Sequence, residues 1–240
     1  MNDSTRSLSV AHLGTVGYSA ALALQSAMVM ARHLEQIGDT LLLLEHPHVF
    51  TLGRGADERF LLPERSGEIP VYRVSRGGQV TYHGPGQLIG YPIVKLEGRD
   101  RDVHRYLRAL EETMIRALGN VGIIGTRREG LTGVWVGERK IGSIGVGIKR
   151  WTTSHGFAIN VRPDLSYFKG IVACGIDGCE TTSIAALGKD EVTVDNFATM
   201  ISSRFSEVFG YEGSIDADPV SLWNLVASNP ATVEAQHRNV

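Results

Sequence analysis

The chain has 240 residues, a formal net charge of −2 and a pI near 6.4. Hydrophobic residues make up 42% and charged residues 21%, an ordinary globular composition with enough length for a substantial core. The slight acidity argues against nucleic-acid binding, and no apolar run reaches bilayer-spanning length. Residues 1–10 hold one arginine and no apolar core, so we expect no secretory signal.

The first half of the chain predicts a helix followed by short strands. An alanine- and leucine-rich segment predicts a helix over 18–36 that ends at Gly38. Pro47 separates two apolar runs and indicates a bend or a sheet edge there. The apolar and alternating runs predict strands over 40–45, 49–52, 71–75, 79–82 and 87–96, the last interrupted by Pro92.

The second half adds two helices and further strands, so the whole pattern favours one α+β domain with a mixed sheet flanked by helices. Apolar residues at helical spacing predict a helix over 102–119. A capped segment that ends at Gly210 predicts another over 193–209. Strands are predicted over 134–136, 141–148 and 154–161. The pattern weakens beyond Asp216, which divides the chain into a domain over 1–215 and a C-terminal tail over 216–240.

A glycine-rich segment over 76–87 is the most informative part of the sequence. Its four glycines are costly to order, and the usual return is close approach of a ligand or another chain to the backbone. We therefore predict a surface for a long, thin ligand, with the His83 imidazole at its end. A tight hairpin without a ligand remains open as the alternative.

Cys174 is a candidate nucleophile. Ala173 and Gly175 flank it and leave the thiol sterically open, and the thiolate is the attacking form. A buried, inert cysteine would have the same context. Cys179 lies five residues later, and a regulatory disulfide between the two is the alternative to two thiols in a reducing compartment.

Lys140 is the candidate cation beside that thiol. It precedes a glycine-rich strand that can face a cleft, and a desolvated lysine can serve as a base. The alternative is a solvated lysine in a hairpin.

Histidines offer further candidates. His83 and His155 could orient or bind a substrate, although a structural role is the common one. His46 and His48 suggest a metal, but no further ligands follow at a recognised spacing. The sequence also contains no Walker-type phosphate loop.

Taken together, these segments resemble the lipoyl(octanoyl) transferases. Order and spacing agree over residues 10–205, and the glycine-rich motif is highly specific. The matching motifs are residues 44–47, 76–87, 139–145, 155–160 and 174–176. Ala173 stands where the family commonly has proline, a change that removes no catalytic group.

The resemblance implies a fold similar to the catalytic domain of lipoate and biotin protein ligases, and it implies that 1–215 is an octanoyltransferase catalytic domain. It implies transfer of an octanoyl group from octanoyl-acyl-carrier protein to a lysine of lipoyl domains. Those domains belong to 2-oxoacid dehydrogenase E2 or glycine-cleavage H proteins. It implies a cytoplasmic enzyme that uses no cofactor, metal, nucleic acid or membrane.

The resemblance also assigns residue roles. The cysteine matched by Cys174 carries the acyl group as a thioester, and the lysine matched by Lys140 tunes it. His155 remains, from its own sequence context, a candidate orienting residue. The expected substrate-binding residues are Arg76, Gly77, Gly78, Gln79, Val80, Thr81, Tyr82, His83, Ser143, Ile144, Gly145, Gly156, Phe157 and Ala158.

The expected chemistry fits these residue types. Exchange between two thiols is nearly isoenergetic, and amide formation then runs downhill, so no ATP is needed. Three alternatives stay open: an ATP-dependent ligase that needs no cysteine, a thioesterase that gives the acyl group to water, and a non-catalytic acyl-binding protein.

Overall fold

A computed structural model describes residues 6–63, 65, 67–172 and 179–228. The described residues form two sheets and four α-helices, which confirms the predicted α+β class with a mixed sheet. The strands are β1 (Ser7–Thr15), β2 (Thr40–Glu45), β3 (Val49–Leu52), β4 (Val71–Arg73), β5 (Val80–His83), β6 (Gln87–Ile93), β7 (Thr126–Arg128), β8 (Leu131–Val136), β9 (Arg139–Lys149), β10 (Thr152–Asn160) and β11 (Gly213–Asp216).

The larger sheet has eight strands in the order β11-β1-β2-β6-β10-β9-β8-β7, and the smaller has the order β4-β3-β5. In the larger sheet β1 runs parallel to both of its neighbours, and the remaining pairs are antiparallel. The helices are α1 (Tyr18–His33), α2 (Val103–Asn120), α3 (Val194–Phe209) and α4 (Pro219–Ala227). None of these helices is long and apolar enough to span a bilayer.

Helix α1 ends three residues before its predicted end. Glu35 adopts a left-handed φ of 58° and donates its N–H to the Arg32 carbonyl, while the Gln36 N–H bonds to the Ala31 carbonyl. This is a Schellman end with glutamate at the position that glycine usually fills, so no glycine marks the end of the helix in the sequence.

Pro47 and Pro92 have different effects on the two sheets. At Pro47 the chain leaves the larger sheet for the smaller one, since β2 belongs to the first and β3 to the second. This confirms the predicted bend. Pro92 lies inside β6, where the pairing with β10 has already stopped at Gly90. The proline therefore removes no hydrogen bond from that ladder.

The core has two main apolar clusters, one on each face of the larger sheet. Alternate leucines of β2 divide between them: Leu41 and Leu43 face α2 and α3, and Leu42 and Leu44 face α1 and α4. Because β2 is buried on both faces, it appears in the sequence as an unbroken leucine run.

The chain beyond Asp216 contains α4, which the sequence pattern did not reveal. The Asp218 side chain accepts the N–H groups of Val220 and Ser221, and Pro219 fills the first helical position. Leu222 is buried in the α1-side cluster. The expected division of the chain at 215/216 falls inside β11, which pairs with β1, and α4 beyond it packs on α1.

Candidate active site

A cavity of about 230 Å³ lies between the α1 side of β9 and β10 and the glycine-rich segment that leads into β5. Fourteen of the residues singled out from the sequence line it. They are Arg76, Gly78, Gln79, Val80, Thr81, His83, Lys140, Ser143, Ile144, Gly145, His155, Gly156, Phe157 and Ala158.

Arg76 fixes the glycine-rich segment to the smaller sheet. It is only 7% exposed, and its guanidinium donates to the carbonyl of Thr51 on β3 at 2.7 Å and to the hydroxyl of the same residue. The next residue, Gly77, donates its N–H to the Val146 carbonyl on β9 at 2.9 Å. The segment therefore ties the two sheets together and closes one wall of the cavity.

The glycines around the cavity mainly permit close approach of one chain to another. A Cβ at Gly53 would lie 2.1 Å from the Gly78 carbonyl oxygen, and one at Gly156 would lie 2.1 Å from the Gly90 oxygen. A Cβ at Gly145 would lie 2.9 Å from the Arg76 Cδ. These positions are small because backbone or Arg76 already occupies the space. The cavity is therefore the space next to these close approaches of one chain segment to another.

Lys140 enters the cavity wall from the start of β9. Its side chain is buried, and Nζ donates to the Thr132 carbonyl at 3.0 Å and lies 5.4 Å from the centre of the Trp135 ring. Its backbone N–H donates to Glu180 O, and its carbonyl accepts from Thr182 N. Lys140 is thus held through its main chain to the described segment that follows Cys179.

Three buried imidazoles lie at or next to the cavity and are held neutral. Burial first, and then the charge of Arg76, lowers the pKa of His155 to about 4. Burial lowers the pKa of His46 to about 4 as well, and it lowers the pKa of His83 well below its usual value. At neutral pH they therefore add polarity without charge.

Hydrogen bonds fix the tautomer of two of these rings. His46 Nδ1 donates to the Val16 carbonyl at 2.7 Å, so its Nε2 accepts from the Tyr91 hydroxyl, also at 2.7 Å. His83 Nδ1 donates to the side-chain oxygen of Gln87 at 3.1 Å. Both nitrogens of His46 are thereby used, which leaves it no lone pair for a metal.

His155 is also strained. Its φ is 54°, a left-handed value that is uncommon for a non-glycine residue and costs on the order of 1–3 kcal/mol. The backbone N–H of His155 donates to the side-chain oxygen of Gln25 on α1 at 2.7 Å, and Ser75 Oγ lies 3.3 Å from Nε2. These contacts hold the ring at the cavity.

Comparison with known proteins identifies the family. Residues 17–206 match the family model described as the lipoyl protein ligase A/B catalytic domain. An octanoyltransferase of Solibacter usitatus is 48% identical over 212 residues, which cover 86% of this chain and 95% of the relative. The chain belongs to the lipoyl(octanoyl) transferase family. It is therefore an enzyme of the acyltransferase class, as the resemblance implied.

Solved structures share the fold of this lipoyl(octanoyl) transferase family member. A bi-partite lipoate protein ligase of Thermoplasma acidophilum, described with its E2 lipoyl domain in a structural analysis of an archaeal lipoylation system, gives a TM-score of 0.70 at 18% identity. That match covers 92% of this chain and 91% of the ligase. The biotin protein ligase of Aquifex aeolicus gives 0.52 at 12% identity, covering 84% and 70%. Both predicted fold similarities are confirmed.

Three of the expected catalytic and substrate-binding residues are not among those that line the cavity. Cys174 lies outside the described residues. Gly77 contributes main-chain hydrogen bonds from behind the wall. Tyr82 points to the opposite side of β5, where its hydroxyl is 2.7 Å from His48 Nδ1 and its ring stacks on Tyr167. The period of two along a strand accounts for the position of Tyr82 between Thr81 and His83.

Sequence reasoning missed five residues of the cavity in this transferase. Tyr18 begins α1, Tyr91 lies on β6, Gly130 lies in the turn before β8, and Leu131 and Thr132 begin that strand. The last three carry no recognisable motif, because the hydrogen bond to Lys140 comes from the backbone carbonyl of Thr132. Tyr91 could have been found from its position as a lone hydroxyl in an apolar strand.

Within the part of the chain that the structure describes, no three histidine, cysteine or acidic side chains are grouped as metal ligands. His46 and His48 serve separate clusters instead. His46 bonds to Tyr91 on the cavity side, and His48 bonds to Tyr82 at the smaller sheet.

Proposed function

We propose that this enzyme transfers an octanoyl group from octanoyl-acyl-carrier protein to a specific lysine of a lipoyl domain, through a thioester on Cys174, in the cytoplasm. The similarity to octanoyltransferases supports the acyl group. The lipoyl-domain acceptor is supported by the lipoylation system to which the fold neighbour belongs. The donor, the thioester and the compartment rest on the sequence motifs and on two cysteines suited to a reducing environment.

The position of Lys140 is the observation that carries this proposal. Its Nζ is fixed at the wall of the cavity, and its main chain is bonded on both sides to Glu180 and Thr182. Cys174 is only six residues before Glu180 in the sequence. A thiol near a lysine ammonium is the arrangement that favours a reactive thiolate.

In the first step the Cys174 thiolate attacks the donor thioester carbonyl. A C–S bond forms to Cys174, the C–S bond to the carrier breaks, and the carrier thiolate leaves and takes up a proton. In the second step the neutral amine of the acceptor lysine attacks the acyl-cysteine. An amide forms, the Cys174 thiolate departs, and the proton from the attacking amine passes to a base at the site. No ATP enters this sequence.

The cavity suits an apolar chain bounded by neutral polar groups. Val80, Ile144, Phe157 and Ala158 border the cavity, although the side chains of Ile144 and Phe157 pack in the cluster on the α2 side, and the nearby imidazoles are uncharged at neutral pH. Each buried CH2 contributes about 0.8 kcal/mol, so cavity depth can select acyl length.

Intact-mass spectrometry tests the thioester directly. After incubation with octanoyl-carrier protein, we expect one added octanoyl group on Cys174 that hydroxylamine removes. The Cys174→Ser variant should lack this labile adduct, and the matched Cys179→Ser variant should keep it. An adduct found on Cys179 alone would contradict the proposal.

The acceptor step separates the rival activities. We expect the octanoyl mass to move to a lysine of an added lipoyl domain without ATP. Release of free octanoate in place of this transfer would indicate a thioesterase. Transfer that needs ATP and survives Cys174→Ser would indicate a ligase.

The role of Lys140 is tested by thiol titration. A cysteine with an unperturbed pKa of about 8.5 is mostly protonated at neutral pH, so a nearby ammonium should lower that pKa. Iodoacetamide labelling of Cys174 against pH should move to higher pH in Lys140→Ala. An unchanged curve would show that the two residues do not share a site.

A further inference from the structure

Glu111 is a buried carboxylate on the far side of the sheet from the cavity. It lies on α2, and its side chain is 1% exposed. Oε2 accepts from Arg108 at 2.7 Å and from Arg127 at 3.1 Å. Oε1 accepts from the backbone N–H of Gly133 at 3.0 Å. The arginines use one oxygen, and the other is directed at the peptide that leads into the site.

That peptide joins Glu111 to Lys140. The N–H of Gly133 and the carbonyl of Thr132 belong to one peptide group, and the Thr132 carbonyl accepts from Lys140 Nζ at 3.0 Å. A carboxylate bound to one end of a peptide and an ammonium bound to the other polarise it in the same direction, which strengthens both hydrogen bonds.

Gly133 is required for this arrangement. Its φ is 129°, a conformation that glycine adopts readily and other residues rarely do. A Cβ there would lie 2.6 Å from both Lys140 Cε and the Gly142 carbonyl oxygen. The orientation of the peptide and the passage of the lysine side chain thus depend on the same glycine.

We propose that Glu111 is a positioning residue that holds the Lys140 ammonium at the cavity wall through the Thr132–Gly133 peptide. The inference rests on the proposed function only in giving Lys140 a role in transfer. The link itself is a property of described residues and can be measured without any acyl substrate.

Other charges surround Lys140 and must be separated from this link. Arg108 lies on α2, and Arg128 on β7 lies over the Trp135 ring, with its Cζ 5.0 Å from the ring centroid, and pairs with Glu138. The charged residues on the elements around Lys140 include Glu111, Glu112, Arg127, Glu138, Arg139 and Glu180. Glu112 provides the matched control, since it pairs with Arg116 and Arg127 but makes no contact with Gly133.

The experiment follows the Lys140 amine by NMR in protein carrying 13C-labelled lysine, with its signal assigned by Lys140→Arg. In Glu111→Gln we expect the titration midpoint of this amine to fall by about one pH unit, a tenfold change in protonation equilibrium. Glu112→Gln removes the same charge from the same helix and should leave the midpoint unchanged. With a lipoyl-domain acceptor, kcat should fall about tenfold in Glu111→Gln while KM stays nearly constant.

Glu111→Asp separates position from charge. It keeps a carboxylate for Arg108 and Arg127, but its side chain is one methylene too short to keep all three hydrogen bonds. We expect the titration midpoint of Lys140 to fall in this variant as well. If Glu111→Gln does not fold, the Glu111→Asp variant is used for the test in its place. A wild-type midpoint in Glu111→Asp, or equal shifts in Glu111→Gln and Glu112→Gln, would overturn the inference. Failure of octanoyl transfer by the wild type would overturn the proposed function instead, because the titration needs no octanoyl donor.

Discussion

The two faces of the larger sheet bury different kinds of side chain. On the face covered by α2 and α3, a continuous apolar cluster runs from Leu41 through Met114 to Phe205. The other face has its own apolar cluster against α1 and α4, but around the cavity it also buries Arg76, Lys140 and several imidazoles. Both faces gain stability from burial of apolar area, and the cavity side must in addition satisfy each buried polar group with a fixed partner. Substitutions on the two faces should therefore differ in whether they change stability or transfer.

The sharpest test of this contrast is Lys140→Ala. With a small, uncharged octanoyl thioester as donor, we expect the transfer rate to fall about 10²- to 10⁴-fold, the range for loss of an acid–base group. The free energy of unfolding should fall by about 1–3 kcal/mol, because the substitution leaves the Thr132 carbonyl without its buried hydrogen bond. Arg139→Ala, the exposed neighbour on the same strand, is the control and should keep its activity. A variant that transfers octanoyl at nearly the wild-type rate would exclude a chemical role for Lys140.

Phe205→Ala tests the other face. Phe205 is fully buried and stacks on Phe209 with ring centroids 4.1 Å apart. We expect urea denaturation to show a loss of about 3–5 kcal/mol, the cost of emptying a core phenylalanine site. Val220→Ala, at an exposed apolar residue, should change stability by less than about 0.5 kcal/mol. Should the folded Phe205→Ala protein lose as much turnover as Lys140→Ala, the two faces would not be separable.

The apolar face was also the more predictable one. The leucine run of β2 and the helical spacing in α2 depend on burial alone, and burial leaves a periodic signal in the sequence. The cavity depends on contacts between segments far apart in the chain. The Thr132 carbonyl, which binds Lys140, is a backbone atom that any residue at position 132 would supply.

The glycines of β9 show the same limit of prediction from sequence. The sequence predicts that Gly145 of β9 borders the substrate, and it does line the cavity, but an added Cβ there would also meet Arg76. Absence of a side chain is visible in the sequence, whereas the identity of the neighbour requires the fold. The role of Cys174 stays a prediction, since it lies outside the described residues.

Acid should weaken the cavity side. His46 and His155 have pKa values of about 4 in the folded protein, below the value of about 6.5 of an unfolded chain. Between pH 4 and pH 6.5 the unfolded state therefore binds more protons than the folded state. The contribution of the two neutral imidazoles to the free energy of unfolding is fully present above pH 6.5 and is lost as the pH falls towards 4. Each contributes on the order of 3 kcal/mol across the window.

Urea denaturation at a series of pH values checks this window. His155→Asn should flatten the acid slope, since asparagine tolerates the left-handed backbone, and the exposed His12→Asn control should not. Asp39 is distinguishable, because its hydrogen bonds lower its pKa below 3.8 despite burial, so its share is lost only at lower pH. Equal acid slopes in His155→Asn and the wild type would mean that His155 is not held neutral by the fold.

A smaller effect is expected at Gly145. An added Cβ would press on the Arg76 Cδ at 2.9 Å and the Gly77 carbonyl at 3.0 Å, so Gly145→Ala should cost about 1–3 kcal/mol. Because Arg76 and Gly78 line the cavity, KM for the octanoyl donor should rise more than kcat falls. Gly119→Ala lies in α2 with open space around it and should stabilise by about 0.5–1 kcal/mol. A rise in stability at both positions would show that Arg76 moves aside freely.

The smallest expected effect concerns the exposed tip between β9 and β10. Lys149 and Arg150 are exposed there, whereas Arg76 is buried against Thr51 and contributes nothing to surface charge. An acidic carrier protein should be attracted to this tip, although exposed charge pairs are worth only about 0.2–1 kcal/mol and are screened over about 8 Å in physiological salt.

Salt and charge reversal together isolate this attraction. The apparent affinity for octanoyl-carrier protein should weaken as salt rises, while reaction with the small uncharged thioester stays constant. Reversal of both charges, in Lys149→Glu with Arg150→Glu, should reproduce the effect of high salt on the carrier-bound donor alone. Arg204→Glu removes a positive charge from α3 on the opposite face and should change neither donor. If both donors lose rate equally with salt, ions act on the site itself, and the hairpin tip does not bind the carrier.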